Sequence, residues 1–270
     1  MSRARTISIS FAIAGMVTVG ASLALARVHP FGDAGLYAAN GTQESIMNDG
    51  QVPSEVRAIL VKKCADCHST QTRAPIYGRF APVSWLMERD ITHGRQEMNL
   101  SLWDHYSADQ RQTFAAKIAH EAKAHEMPLP QYRLIHWNAC VNDAEIRTLA
   151  SWAHVASASE MGQSMEQASA GDPVRGKELF EKRCTGCHSL TQNHQGPRLQ
   201  GVYGRVSGSI SDYEYSPTLK KSHIVWDENS LGQWLTDPDA FLPGNNMEFL
   251  VPRPQERQDI ISYLRQTSGK

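Results

Sequence analysis

Apolar residues recur along this chain at the spacing of helices. The segment "SEVRAILVKKC" at 54–64 carries its apolar residues three and four positions apart, and "QERQDIISYLRQ" at 255–266 does the same. Residues 82–98 and 107–126 share this pattern, and little of the chain alternates strictly between apolar and polar residues as a strand would. The pattern therefore predicts an all-α protein.

The segment "GDPVRGKELFEKRC" at 171–184 has the signals of a helix start. Asp172 is a predicted N-cap, and Pro173 stands at the first helical position, where its missing N–H leaves no hydrogen bond unmade. Gly176 would allow the C-terminal helix to approach closely. The predicted apolar side of this helix is formed by Val174, Leu179 and Phe180.

The first 26 residues have the features of an export signal. Arg3 and Arg5 precede an uncharged stretch at 7–26 that closes on the A-x-A sequence "ALA". We expect cleavage after Ala26, but the stretch is nearly long enough to span a bilayer, so an uncleaved anchor is the alternative. In both cases we expect the bulk of the chain in the periplasm, either released or anchored to the inner membrane.

Two short segments, "CADCHST" at 64–70 and "CTGCHSL" at 184–190, contain the same C-x-x-C-H motif. At the end of a helix, two thiols with this spacing can reach the two vinyl groups of one porphyrin, and the adjacent histidine then lies beneath the iron. A zinc site would need a second cysteine pair about 15 to 20 residues away, and a redox dithiol would need a βαβ context. The motifs therefore predict two covalently bound haem c groups, attached through Cys64, Cys67, His68, Cys184, Cys187 and His188.

The fifth cysteine, Cys140, has no partner for a disulfide once the motifs take the other four. In an exported protein cysteines usually pair into disulfides, but no other cysteine is left for Cys140. We interpret Cys140 as a small buried apolar residue rather than a reactive thiol.

Small and polar residues at 157–171, "SASEMGQSMEQASAG", interrupt the apolar periodicity and predict a linker. On each side the same features recur: a helix leading into C-x-x-C-H, a loop with proline and glycine, further helices, a methionine in a loop, and a closing helix. The chain is therefore expected to form two small haem-wrapping domains, at 50–156 and 172–270, after the N-terminal segment at 1–26.

The sixth iron ligand of the second haem is predicted from the segment "FLPGNNMEFLVP" at 241–252. Pro243 and Gly244 break any helix here, so Met247 lies on a loop that can fold over the haem. A methionine sulfur in this position gives a saturated iron with a high reduction potential.

Residues 171–270 resemble a class I cytochrome c of the mitochondrial and bacterial c2 type. The likeness extends through "CTGCHSL", "GPRLQGVYGR", "WDENSLGQWLTDPDAFLPGNNMEF" and "ERQDIISYLRQ". It implies that Met247 is the axial ligand and that the Pro197 carbonyl supports His188, while Trp234 replaces a usual tyrosine near the methionine. It also implies that four residues hydrogen-bond the haem propionates or line the pocket: Arg205, Tyr215, Trp226 and Asn245.

Residues 50–155 are similar to the haem-binding domain of bacterial exported proteins, through "VPSEVRAILVKKCADCHST", "RFAPVSWLMERDITHGRQEMNLSLW", "EMPLPQYRLIH" and "DAEIRTLASWA". The methionine-proline motif of that family implies that Met127 is the sixth ligand of the first haem. Pro128 disfavours helical geometry at Met127, as a ligand loop requires. The alternative ligands, which include those of a bis-histidine iron, are Met98, His93, His105, His120, His125 and His136.

These features indicate an electron carrier rather than an enzyme. The chain is expected to pass single electrons between redox proteins of the periplasm or inner membrane, and we identify no catalytic residue. The alternative is a dihaem oxidoreductase, a peroxidase or thiosulfate-type enzyme, with one open or labile haem site. With 27 basic and 28 acidic residues, no basic patch suggests nucleic acid, and membrane contact is expected only if the N-terminal segment is uncleaved.

Overall fold

The computed structural model describes residues 2–36, 45–47, 49–158 and 169–269. The chain is 59% helical, and the described residues contain no β-strand. The only β pairing among them is an isolated antiparallel bridge between Val206 and Val225. The prediction of an all-α fold is confirmed.

The helices in the described residues differ widely in length. The α-helices are α1 (Ser2–Leu25), α2 (Ser54–Lys63), α3 (Ala65–His68), α4 (Val83–Glu97), α5 (Ala108–Lys123), α6 (Pro130–Ile135), α7 (Asp143–Ala158), α8 (Pro173–Arg183), α9 (Pro217–Ser222), α10 (Glu228–Thr236), α11 (Pro238–Phe241) and α12 (Pro254–Thr267). Short 3₁₀ helices lie at Ser45–Met47, Ile76–Arg79, Leu100–His105 and Trp137–Ala139. Within the described ranges, no helix combines the length and the hydropathy needed to cross a membrane.

The chain forms two compact units, Met1–His105 and Tyr106–Lys270. The second unit contains α5, α6 and α7 as well as the predicted C-terminal domain. The domain boundaries at 50–156 and 172–270 remain predictions. Helix α7 extends to Ala158, so the first two residues of the predicted linker are helical, and residues 159–168 lie outside the described ranges.

The largest fully buried side chain of the first unit is that of Trp103, which donates from Nε1 to Asp49 Oδ2 at 3.1 Å. Helix α2 contributes Val56, Ile59 and Leu60, all buried as its periodicity indicates. Short α3 follows directly, so that the first C-x-x-C-H motif stands between buried α2 and α4.

The second unit depends on close packing between α8 and α12. A Cβ on Gly176 would lie 1.9 Å from the Asp259 carbonyl oxygen, which confirms the predicted close approach. Asp172 caps α8 by accepting from the Val174 N–H at 2.8 Å, also as predicted. The prediction for the Val174 side chain was wrong, because it is 69% exposed while Phe180 is buried. Val174 lies in the first turn of α8, where the helix leaves it exposed.

Candidate functional site

Helix α8 delivers the second C-x-x-C-H motif. The helix ends at Arg183, and Cys184 is its C-cap. The next turn is closed by bonds from the backbone N–H groups of Cys187 and His188 to the Cys184 carbonyl, at 3.1 and 2.8 Å. Both cysteines and the histidine consequently line one cavity, together with Met247.

The rest of the cavity lining is mainly apolar, with leucines, valine, isoleucine and tryptophans among its residues. Four of the residues implied by the cytochrome c resemblance line it as well: Pro197, Arg205, Tyr215 and Trp226. An imidazole, a thioether sulfur and two thiols in an apolar cavity are the donor set that a covalently attached haem requires. The residues of this cavity therefore fit a haem.

A hydrogen bond at Nδ1 orients the His188 ring so that its Nε2 atom can bind a metal. The Pro197 carbonyl oxygen lies 2.8 Å from Nδ1 and accepts a hydrogen bond from the Nδ1–H group, which leaves Nε2 available as a ligand. Burial lowers the pKa of His188 and so favours the neutral ring that binds metal. A Cβ on Gly196 would lie 2.1 Å from His188 Cε1, so glycine allows this backbone to lie against the imidazole.

The thiols of the second motif are not reactive thiolates. Burial raises the pKa of Cys184 to about 12 and that of Cys187 to about 11, so both are protonated at neutral pH.

Among the described residues, one cluster of three potential metal ligands has its ligand atoms within 4.8 Å of one another. It consists of His29, Asp33 and Glu88 and contains no cysteine. The ligand geometry gives no support to zinc at either motif.

The loop that carries Met247 is fixed by Asn245. Asn245 is fully buried; its Oδ1 accepts from the Met247 N–H at 2.6 Å, and its Nδ2 donates to Asp239 and to the Leu242 carbonyl. The structure thus places Asn245 within the loop, and it is not among the residues that line the cavity. Trp234 Nε1 donates to the Met247 sulfur at 3.0 Å, so the tryptophan stands beside the methionine as the resemblance implies.

Arg205 contributes positive charge to the cavity wall. Its guanidinium donates to the carbonyls of Gln200 and Arg198 at 3.1 and 2.9 Å, and burial lowers its pKa. Tyr215 lies nearby, and its electrostatic effect on the Arg205 pKa opposes that of burial. A cation fixed in this way can donate hydrogen bonds to a haem carboxylate.

The first motif lies in the first unit, between α2 and α4. Cys64 is the C-cap of α2, and His68 ends α3. His68 Nδ1 lies 3.1 Å from the Met98 carbonyl oxygen, which supports this histidine as Pro197 supports His188. The sequence analysis missed this role of Met98, because a backbone carbonyl leaves no trace in side-chain identity.

Helix α4 packs closely against this first histidine. A Cβ on Gly94 would lie 3.4 Å from His68 Cε1 and 3.2 Å from the Cys67 carbonyl oxygen. Arg95 donates from Nε to the Ser69 carbonyl at 2.7 Å and ties the helix to the segment after the motif. Burial, with a smaller effect of Asp66, raises the pKa of the Cys67 thiol to about 11, as at the second motif.

Met127 lies where the sequence predicts, in the loop between α5 and α6, with 37% of its surface exposed. Met98 is buried at the end of α4, His93 and His125 are exposed, and the exposed His105 pairs with Asp104. His136 and His120 have backbone partners at Nδ1, the carbonyls of Tyr132 and Asn246. The assignment of Met127 as sixth ligand of the first haem remains a prediction.

The expectation that Cys140 is buried was wrong. Its side chain is exposed, next to the short 3₁₀ helix Trp137–Ala139. A cysteine without a disulfide partner suggested burial, but the nearby Leu134 and Trp137 are themselves more than 80% exposed, so this segment forms no core.

Helix α5 is an unexpected part of the second cavity. Ala116 and His120, which lie one turn apart on this helix, line it alongside His188 and Met247. Nothing in the sequence pairs α5 with a motif more than 60 residues downstream. Side chains brought together by the fold in this way carry no local sequence signature.

Comparison with known proteins gives two family matches. A haem-binding domain family matches residues 29–155, and the cytochrome c family matches residues 173–268. Cytochrome c of Chlamydomonas reinhardtii is 39% identical over 107 residues, which are 38% of this chain and 96% of the relative. Cytochrome c of Euglena viridis is 44% identical over 98 residues, 35% of this chain and 96% of the relative. The solved structure of cytochrome cH from Methylobacterium extorquens is 40% identical, with 36% of this chain and 99% of that chain covered and a TM-score of 0.34.

Proposed function

Because the chain belongs to the cytochrome c family, whose members transfer electrons through haem, we propose that it is a periplasmic dihaem carrier of single electrons. The observation that supports this most strongly is the cavity in which Cys184, Cys187, His188 and Met247 meet. The first C-x-x-C-H motif, with Cys64, Cys67 and His68, lies inside the matched haem-binding segment and supports the first haem.

The second haem is proposed to be held by thioether bonds from Cys184 and Cys187, with His188 and Met247 at the iron. This ligand pair is supported by the neutral His188 imidazole, which is hydrogen-bonded to the Pro197 carbonyl, and by the loop that Asn245 fixes. The half-buried Arg205 and its neighbour Tyr215 are proposed to bind the propionates, and Trp226 to line the pocket.

The first haem is proposed to be held by Cys64 and Cys67, with His68 and Met127 at the iron. The hydrogen bond between His68 and the Met98 carbonyl supports the proximal ligand. The loop position of Met127 and the proline that follows it support the sixth ligand.

Two saturated irons suit a carrier. With all four axial positions filled by the protein, its work is to hold the irons, to set their potentials through ligand type and burial, and to exclude side reactions. The apolar lining of the second cavity and the sulfur ligand both favour a high potential.

The proposed setting is the periplasm, in which the donors and acceptors are redox proteins of that compartment or of the inner membrane. The arginines and apolar stretch at 1–26 support export, either with cleavage after Ala26 or with retention as an anchor. The proposed domains are residues 50–156 and 172–270, which the extents of the two family matches support.

Haem counting and a redox titration of the purified holoprotein test this function. We expect two haems per chain in a pyridine haemochrome assay, retained after acid-acetone extraction because both are covalent. The spectroscopic titration should fit two reversible one-electron steps. A single haem per chain would contradict the dihaem carrier.

A further inference from the structure

Helix α5 lies outside the cytochrome c match, which begins at residue 173, yet it contacts the loop of the candidate ligand Met247. His120 donates from Nδ1 to the Asn246 carbonyl at 2.9 Å. Lys123 Nζ lies 2.6 Å from Glu248 Oε1. The residues contacted stand immediately before and after Met247, so α5 holds the loop on both sides of the ligand.

A third contact extends this attachment. Gln112 donates from Nε2 to the Leu250 carbonyl at 3.1 Å, and its Oε1 accepts from Arg183 at 3.0 Å. Arg183 directly precedes Cys184 and also pairs with Asp109 of α5 at 3.1 Å. Helix α5 therefore joins the methionine loop to the haem-attachment motif.

Burial makes the Lys123 contact a strong one. The Glu248 side chain is 2% exposed and that of Lys123 is 27% exposed, so most of this ion pair is shielded from water. A buried carboxylate is stable only when it is paired, and removal of its partner is strongly unfavourable. The loop can relieve an unpaired Glu248 by moving towards solvent, and such a movement would carry Met247 with it.

We propose that α5 is a clamp on the Met247 loop, in which His120 and Lys123 are positioning residues that keep the methionine sulfur on the second haem iron. This inference rests on the proposed function, because it requires a haem between His188 and Met247. Neither residue contacts the iron in this account; each acts through the backbone or the side chain of a neighbour of Met247.

Imidazole binding to the oxidised holoprotein tests the clamp, since imidazole reaches the ferric iron only after the sulfur leaves. Lys123→Gln should increase the apparent imidazole affinity of the second haem by at least about tenfold, the effect of losing one charge-assisted bond. In this variant the methionine-to-iron charge-transfer band should disappear at a correspondingly lower imidazole concentration than in the wild type. Lys123→Arg should restore the wild-type affinity, and His120→Ala, which leaves no buried charge, should shift it in the same direction as Lys123→Gln.

A matched control is Lys177→Gln, which breaks a lysine–glutamate pair whose side chains are 60% and 61% exposed on α8. It should leave the imidazole titration unchanged. The second haem is identified as the titration phase that Met247→Ala alters. If Met247→Ala alters no phase, the ligand assignment of the proposed function fails. If it does, and Lys123→Gln and His120→Ala, both with full haem content, titrate like wild type, the clamp alone is wrong.

Discussion

At the scale of single residues, each candidate proximal histidine depends on a backbone carbonyl. His188 Nδ1 donates a hydrogen bond to the Pro197 carbonyl at 2.8 Å, and His68 Nδ1 donates one to the Met98 carbonyl at 3.1 Å. In both cases the bond fixes the ring and leaves Nε2 for the iron. The resemblance to cytochrome c implies the Pro197 carbonyl, whereas nothing in the sequence points to the Met98 carbonyl, because the side chain of Met98 suggests only a sulfur ligand.

Paired substitutions separate the two methionines of the first haem-binding segment. Met127→Leu should abolish one of two methionine-to-ferric-iron charge-transfer bands and lower the potential of that haem, because it removes the sulfur ligand. Met98→Leu should keep both bands, since its contribution is the carbonyl, which leucine retains. Absorption spectra and redox titrations of both variants provide the measurement. The opposite assignment would follow if Met98→Leu alone lost a band.

At the scale of helices, the contact between α8 and α12 depends on Gly176. Its backbone lies against Asp259, whose carboxylate in turn pairs with Arg175 at 3.0 Å and accepts from the Asp172 N–H at 2.8 Å. The glycine and the carboxylate therefore fix the same crossing, one by allowing close approach and the other by polar bonds.

Gly176→Ala should destabilise the holoprotein by about 1–3 kcal/mol, because the new Cβ would collide with backbone that cannot move freely. The matched control is Gly232→Ala in α10, where a Cβ would meet only Ile261 Cδ1 at 4.0 Å. That change should stabilise by up to about 1 kcal/mol through helix propensity. Denaturant unfolding followed by circular dichroism measures both. Equal effects of the two substitutions would refute the role given to Gly176.

The helices show which parts of the structure the sequence could predict. Local signals succeeded: the cap at Asp172 and the periodicity of α2 both act within a few residues. Contacts between distant segments were not predictable in this way. Ala116 and His120 line the second cavity although they precede its motif by more than 60 residues, and Cys140 is exposed although its lack of a disulfide partner predicted burial.

At the scale of the whole molecule, the chain combines two C-x-x-C-H motifs with a nearly neutral charge, 27 basic against 28 acidic residues. A small net charge favours partner recognition by local surfaces over long-range steering. The second compact unit includes α5 to α7 from the haem-binding match as well as the cytochrome c match. The cavity that Cys184, Cys187, His188 and Met247 line is therefore built from both family segments.

The most direct test of the central claim is a carbon monoxide titration of the fully reduced holoprotein, followed by a peroxide assay with a reduced cytochrome as donor. If His68, Met127, His188 and Met247 fill the four axial positions, carbon monoxide should bind slowly or not at all, because it must first displace a bonded sulfur. Peroxide turnover should not saturate, since no iron is vacant. Rapid stoichiometric binding at one haem together with saturable peroxide turnover would contradict the carrier and favour a dihaem oxidoreductase.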